Sequence, residues 1–145
     1  MLTTAQLDAS RQLMGLDSQL IADRTYFIVE EDGELAGCGG WSRRATPYGG
    51  DHSPGRDSAL LNEAKDAAKI RAMYTAPGFE RRGVARLILS LCEEAARSAG
   101  FAKVELVATM SGKPLYEACG YHPLEAFHDD RAGEPVPLLR MGKAL

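Results

Sequence analysis

Pro77-Gly78-Phe79-Glu80-Arg81-Arg82-Gly83-Val84-Ala85-Arg86 is the stretch on which the reading of this chain turns. Pro77-Gly78 breaks whatever precedes it. After Gly83 a helical period begins at once: Val84, Leu87, Ile88, Leu91 and Ala95 stand at i, i+3, i+4, i+7 and i+11, which is one helix face. Glu93, Glu94 and Arg97 fall off that stripe, and Gly100 is a natural C-terminal stop. A tight turn therefore opens a long helix. Before it, Lys69-Ile70-Arg71-Ala72-Met73-Tyr74-Thr75 predicts a strand. After it, Lys103–Thr109 alternates Val104, Leu106 and Ala108 with Lys103, Glu105, Val107 and Thr109, which predicts another. Strand–helix–strand argues for a parallel pair joined by a right-handed crossover.

Outward from this unit the elements are shorter. Thr3 or Thr4 is placed to cap a first helix running through Leu7, Leu13 and Met14, and a short second helix is expected over Asp17–Ala22. Thr25-Tyr26-Phe27-Ile28-Val29-Glu30 reads as a strand, Asp32-Gly33 as a hairpin turn, and Leu35 to Trp41 as the returning strand. Gly37, Gly39 and Gly40 within it predict a bulge or the close approach of another backbone. Ser42 to Asp66 reads as a long loop with a short helix inside Asp57–Ala64, and loops of that length are often functional. Pro114–Cys119 predicts a short helix ended by Gly120, and the tail adds strands near Tyr121–Phe127 and Val136–Met141. The expected fold is α/β (α+β): a mixed β-sheet with a central parallel strand pair flanked by helices on both faces, in a single domain over residues 1–145.

Composition excludes several function classes. Hydrophobic residues at 45% and charged residues at 26% fit an ordinary globular domain rather than a disordered chain. The formal charge of −3 gives no general attraction to nucleic acid, so an anion site must come from local placement of Arg and backbone N–H groups. Cys38, Cys92 and Cys119 are odd in number and widely spaced, which suggests buried thiols, with neither a metal site nor a disulfide framework. Met1–Gly15 lacks the apolar run of a signal peptide and nothing approaches a membrane span, so a cytoplasmic location without membrane partners is expected.

The turn itself suggests a ligand. Gly83 and Ala85 keep the first helical turn free of bulk, so its amides, which have no intrahelical partner and sit at the positive end of the helix dipole, are open to an anion. Phosphate is the natural occupant, and Arg81, Arg82 and Arg86 add charge and paired donors.

The run from Ile70 to Tyr121 resembles the GNAT N-acetyltransferase superfamily. That superfamily has a strand, then Arg/Gln-x-x-Gly-x-Gly/Ala opening a long helix, then a strand, then a helix carrying Leu-Tyr-x-x-x-Gly-Tyr/Phe. This chain reads Glu80-Arg-Arg-Gly83-Val-Ala85 and Leu115-Tyr116-Glu-Ala-Cys-Gly120-Tyr121, at the family's usual separation. The resemblance covers most of the chain from Thr25 onward. It implies acetyl transfer from acetyl-CoA, as co-substrate, to a primary amine on a small molecule or a protein, by direct attack. It implies that Met73, Tyr74 and Thr75 offer backbone groups to the acetyl and pantetheine amides, and that their strand splays from the one ending at Thr109, with the cofactor arm in the gap. Arg81, Arg82, Gly83, Val84, Ala85 and Arg86 would cradle the pyrophosphate. Tyr116 would sit near the cofactor sulfur and protonate the leaving thiolate, a role that suits a neutral phenol with a pKa of about 10.

The chain departs from the family pattern at three points. Glu80 stands where Arg or Gln is usual, which leaves the charge to Arg81 and Arg82. The strand stretch Ala68-Lys69-Ile70-Arg71 carries no carboxylate to act as general base, so the long loop is the place to look, with His52 as the candidate and Glu63 and Asp66 nearby. His122 and His128 are weaker candidates, a water chain is an alternative, and Trp41 and Tyr48 are candidates for an acceptor pocket. The family's first strand is missing by this reading, and a homodimer through the open sheet edge is one expectation that follows. A non-catalytic acyl-CoA-binding module and a structural domain that only dimerises are the competing readings.

Overall fold

The computed structural model describes residues 18–44, 59–130 and 133–145. The expected helix from Thr3 or Thr4 to Met14, the question of the family's first strand, and His52 and Tyr48 lie outside the described residues. In chain order the elements are α1 (Ser18–Ala22), β1 (Tyr26–Glu31), β2 (Glu34–Ser42), β3 (Ala68–Thr75), α2 (Val84–Ser98), β4 (Lys103–Thr109), α3 (Lys113–Ala118), β5 (His122–Asp129) and β6 (Val136–Ala144). The strands form one six-stranded sheet in the order β1-β2-β3-β4-β6-β5.

Each hairpin and stop expected from sequence has a local cause. Asp32 and Gly33 both take left-handed φ, 53° and 81°, which is what a two-residue turn needs to match strand twist. Gly100 (φ 101°) ends α2, and Phe101 N–H reaches back to Ala96 O at 3.1 Å, closing the helix end. The helix expected within Asp57–Ala64 is not seen over its described part. Residues 59–64 run as a bridge and a turn, because Asn62 Oδ1 and Asp66 Oδ2 take up the amides of Ala64 and Asn62 and hold an Asx-type turn instead.

The glycines of β2 do what the sequence anticipated. A Cβ on Gly37 would lie 2.6 Å from Val84 Cγ1 and 2.7 Å from Tyr74 O, and one on Gly39 would lie 2.9 Å from Ile88 Cγ2. A Cβ on Gly40 would instead meet Thr25 O at 2.6 Å and Leu20 Cδ1 at 3.1 Å. Successive strand residues face opposite sides of a sheet. Gly37 and Gly39 therefore admit α2 on one face and Gly40 admits α1 on the other, so helices flank both sides.

The core lies under α2. Its buried residues are Val84, Ile88, Leu89, Cys92 and Ala96, packed with Trp41, Ile70, Phe101, Val104, Leu106, Leu139 and Met141. The stripe read from sequence was rotated: Leu87 and Leu91 are 48% and 38% exposed, while Leu89 is buried. Leucine and isoleucine crowd this helix so densely that more than one stripe fits the period. The sheet chooses the one that Gly37 and Gly39 leave room for. Each fully buried Ile or Leu here contributes about 1.5–3 kcal/mol. A smaller cluster, Val136 and Leu138 with Val107 and Phe127, forms separately at the β4-β6-β5 end. On the face turned away from α2, Glu105 Oε2 and Oε1 accept from Lys69 Nζ (2.8 Å) and Arg140 Nη1 (3.0 Å), tying β3, β4 and β6 together.

The parallel pair is short. β3 pairs with β4 only at Ala68↔Val104 and Lys69↔Glu105, while β2 follows β3 up to Thr75. The β2–β3 register shifts between Cys38 and Gly40, opposite Ala72, whose φ of 60° is left-handed. A bulge bends its strand and raises its twist. Here it turns the second half of β3 away from β4 and opens a gap at the C-terminal ends of the pair.

Candidate active site

That gap is closed off by the turn quoted first. Phe79 N–H donates to Ala76 O at 3.0 Å, and Gly78, Arg81 and Gly83 take φ of 89°, 62° and 80°. Repeated left-handed residues make the chain double back tightly within this turn. Gly78 N–H donates to Glu80 Oε2 at 2.9 Å. The carboxylate that departs from the family pattern is thus engaged by the turn's own backbone.

α2 then starts with no side-chain cap and no acidic residue in its first turn. Leu87 N–H to Gly83 O is its first bond, at 3.0 Å, which leaves the amides of Gly83, Val84, Ala85 and Arg86 without a helical acceptor. They face a cavity of about 500 Å³. Thr75 at the end of β3, Phe79, Glu80 and Arg81 of the turn, Gly83 to Arg86 of α2, and Ser111, Gly112 and Leu115 at the start of α3 form its walls. The size suits a small-molecule ligand, and the place, beyond the carboxyl ends of parallel strands, is where open α/β sheets bind one.

The structure brings some of the sequence candidates together and not others. Thr75, Arg81, Gly83, Val84, Ala85 and Arg86 share the cavity. Arg82 does not: its Nη1 donates to Glu31 Oε1 at 3.3 Å, and its guanidinium lies over Phe79. Met73 and Tyr74 lie off the lining, with Met73 Sδ close beneath Gly39 and Tyr74 half-exposed. Thr109 shapes the wall indirectly, since its Oγ1 accepts from Gly112 N–H at 3.3 Å and lies 3.1 Å from Ser111 Oγ. Sequence reasoning missed Ser111, Gly112 and Leu115. Gly112 followed by Pro114 marks a helix start, but nothing local shows that this start faces a turn some thirty residues earlier.

Tyr116 stands one helical turn behind the wall. Its N–H donates to Gly112 O at 3.3 Å, and a Cβ on Gly112 would come within 3.1 Å of its Cε2, so glycine is what lets the ring pack against the start of α3. Burial, and then the neighbouring Cys119, push its phenol up to about 12, which keeps it protonated at neutral pH. Tyr121 packs edge-on to it with ring centroids 6.1 Å apart. Tyr121 Oη donates to Glu93 Oε2 at 2.8 Å, and Lys143 Nζ to Glu93 Oε1 at 2.9 Å, which anchors α3 to α2 and β6. Burial first, and the Glu93 carboxylate second, raise the Tyr121 pKa strongly.

The carboxylates considered as bases do not reach the cavity. Glu63 lies beside Gly100, at the far end of α2, and Asp66 is held by the Asn62 amide. Trp41 is buried in edge-on contact with Phe101, centroids 6.1 Å apart, and belongs to the core. His122 and His128 lie exposed on β5. Cys38, Cys92 and Cys119 are free thiols, burial pushes Cys92 up to about 12, and no cluster of metal ligands occurs among the described residues. No described helix is long and apolar enough to cross a membrane.

The model of the Acetyltransferase (GNAT) family matches residues 4–121. The chain belongs to the GNAT acetyltransferase family. Among curated proteins none matches it. Solved structures that share this GNAT fold include a ribosomal-protein-alanine N-acetyltransferase from Brucella melitensis (16% identity, 88% of this chain and 74% of that one, TM-score 0.65). An IAA acetyltransferase from Bacillus cereus is similar over 89% of this chain and 85% of its own (16% identity, TM-score 0.62). A PaiA N-acetyltransferase from Thermoplasma acidophilum, solved in complex with coenzyme A, is similar over 88% and 66% (14% identity, TM-score 0.56). At such identities the likeness is one of fold.

Proposed function

We propose that this GNAT is an N-acetyltransferase that moves an acetyl group from acetyl-CoA to a primary amine of a small molecule or a protein, by direct attack, in a single cytoplasmic domain. The observation that carries this reading is the cavity of about 500 Å³ where uncapped amides of α2 meet Arg81 and Arg86 beside the splayed end of β3. The donor set fits a pyrophosphate: uncapped N–H groups, two guanidinium groups and the positive end of a fifteen-residue helix.

Acetyl-CoA, when bound, supplies an activated thioester. The amides of Gly83 to Arg86 and the side chains of Arg81 and Arg86 hold its phosphates. The backbone of β3 orients the acyl arm at Thr75, which lines the cavity, with Met73 and Tyr74, off the lining, supporting that strand end, and positioning of this kind removes much of the barrier. The Tyr116 phenol holds a proton for the departing thiolate. His52, or a chain of ordered water, takes the proton from the ammonium form of the acceptor. The coenzyme A bound to the PaiA N-acetyltransferase, a protein of the same fold, supports the choice of ligand.

Isothermal titration of acetyl-CoA, with CoA and ATP as controls, followed by a CoA-release assay over a panel of amines, tests the reading. Saturable binding and amine-dependent release are expected. Binding without release for any amine would favour a non-catalytic acyl-CoA module. No binding at millimolar ligand would overturn the proposal.

A further inference from the structure

Of the three arginines in the turn, Arg81 and Arg86 line the 500 Å³ cavity and Arg82 lines a neighbouring hollow of about 340 Å³. In that hollow Arg82 Nη1 donates to both oxygens of Glu31, at 3.3 and 3.4 Å. Glu31 ends β1, and Asp32 and Glu34 of the same hairpin add further negative charge to the walls. Phe79 lines both hollows, and Arg82 Cζ stands 5.2 Å from its ring centroid. Phe79 is therefore the partition between the two, and the Arg82 side chain already rests on it.

Two physical points give this arrangement a direction. The Arg82–Glu31 pair is half-exposed on both sides, 53% and 47%, and such pairs are weak and readily exchanged. A phosphate group beside the α2 amides offers Arg82 paired charge-assisted bonds in fork geometry, which are stronger. The guanidinium can slide across the face of Phe79 while keeping its cation–π contact.

We propose that Glu31 sets the affinity of the site by holding Arg82 in reserve: Arg82 leaves Glu31, crosses Phe79 and bonds the cofactor's phosphates when they enter, so that Glu31 competes with the ligand. Glu31 touches neither ligand nor reacting atoms and is a positioning residue that acts through Arg82. The inference rests on the proposed function, since it takes acetyl-CoA as the ligand.

The test is a double-mutant cycle read by acetyl-CoA titration of the wild type, Glu31→Gln, Arg82→Ala and the double variant. Glu31→Gln is an exposed, shape-preserving change. It is expected to tighten binding by about two- to fivefold, the upper figure being about 1 kcal/mol. Arg82→Ala alone is expected to weaken binding, and in its background the Glu31→Gln gain should fall below about 1.5-fold. Unchanged affinity in Glu31→Gln overturns the inference and leaves the proposed function standing. An equal gain in the Arg82→Ala background also overturns it, because Glu31 would then act only as a nearby like charge. No binding by any of the four proteins overturns the proposed function, and this inference with it.

Discussion

Gly37→Ala tests the link between the sheet and the phosphate turn. The added methyl would stand 2.6 Å from Val84 Cγ1, 2.7 Å from Tyr74 O and 3.4 Å from Ile88 Cδ1. Neither near neighbour yields easily. Tyr74 O is backbone in the bent half of β3, and Val84 is β-branched with one favoured rotamer in a helix. Val84 is also the first residue of α2, so relief by lifting the helix moves the very amides that face the cavity. Overpacking of this kind costs about 1–3 kcal/mol. At about 2 kcal/mol, and about 3–5 °C per kcal/mol for a chain of this size, the melting midpoint should fall by about 6–10 °C. A shift of the helix start by a good fraction of an ångström takes the amides out of hydrogen-bond range, and acetyl-CoA affinity should drop about tenfold. Gly133→Ala is the control. Nothing lies within 4 Å of a Cβ there, and φ is 101°, so it should cost about 1–2 kcal/mol of backbone strain and leave ligand binding alone. Thermal melts and isothermal titration on the two variants read both effects. A Gly37→Ala protein that melts within about 2 °C of the wild type and binds normally would refute the claim that helix and sheet meet at this residue.

Three further outcomes follow from the same geometry. Tyr116→Phe should lower kcat by about a hundredfold or more, the usual worth of a general acid, with little change in acetyl-CoA affinity; a full-rate variant would remove Tyr116 from the mechanism. Gly83→Glu should weaken acetyl-CoA binding by more than about tenfold, because φ of 80° disfavours any side chain and the new carboxylate faces the phosphate cradle, and unchanged affinity would place the phosphates elsewhere. Stability should fall as pH rises from about 10 to about 12. The unfolded chain releases the Tyr116 proton near its ordinary value of 10.0 while the native protein keeps it to about 12, so the native state binds more protons in that window. Melting of Tyr116→Phe should lose up to about 2 kcal/mol less than the wild type over that range, with Tyr121, raised in the same direction, accounting for part of the remainder; equal losses in the two proteins would contradict the shift.

Much of the fold was legible because its causes are local. Asp32-Gly33, Gly100 and Gly120 announce their turns through the left-handed backbone that glycine and aspartate tolerate, and Lys103–Thr109 announces its strand by strict alternation. The paired motifs around Gly83 and Tyr116 carried the family, since a phosphate turn and an aromatic helix at fixed separation are specific in combination. The loop helix in Asp57–Ala64 failed because Asn62 and Asp66 satisfy the backbone in a turn, a competition that propensity alone does not decide.

Sequence by itself determined the kinds of element, their punctuation and the chemistry gathered at residues 77–86. It could not determine partners brought together from far along the chain. β6 inserts between β4 and β5, α2 presents Leu89 rather than Leu87 to the core, Arg82 pairs with Glu31, and Ser111 and Gly112 complete the cavity wall. Local periods and turns are fixed by neighbours three or four residues apart, whereas these contacts depend on how a twisted sheet, bent at Ala72 and bare of side chains at Gly37 and Gly39, receives its helices.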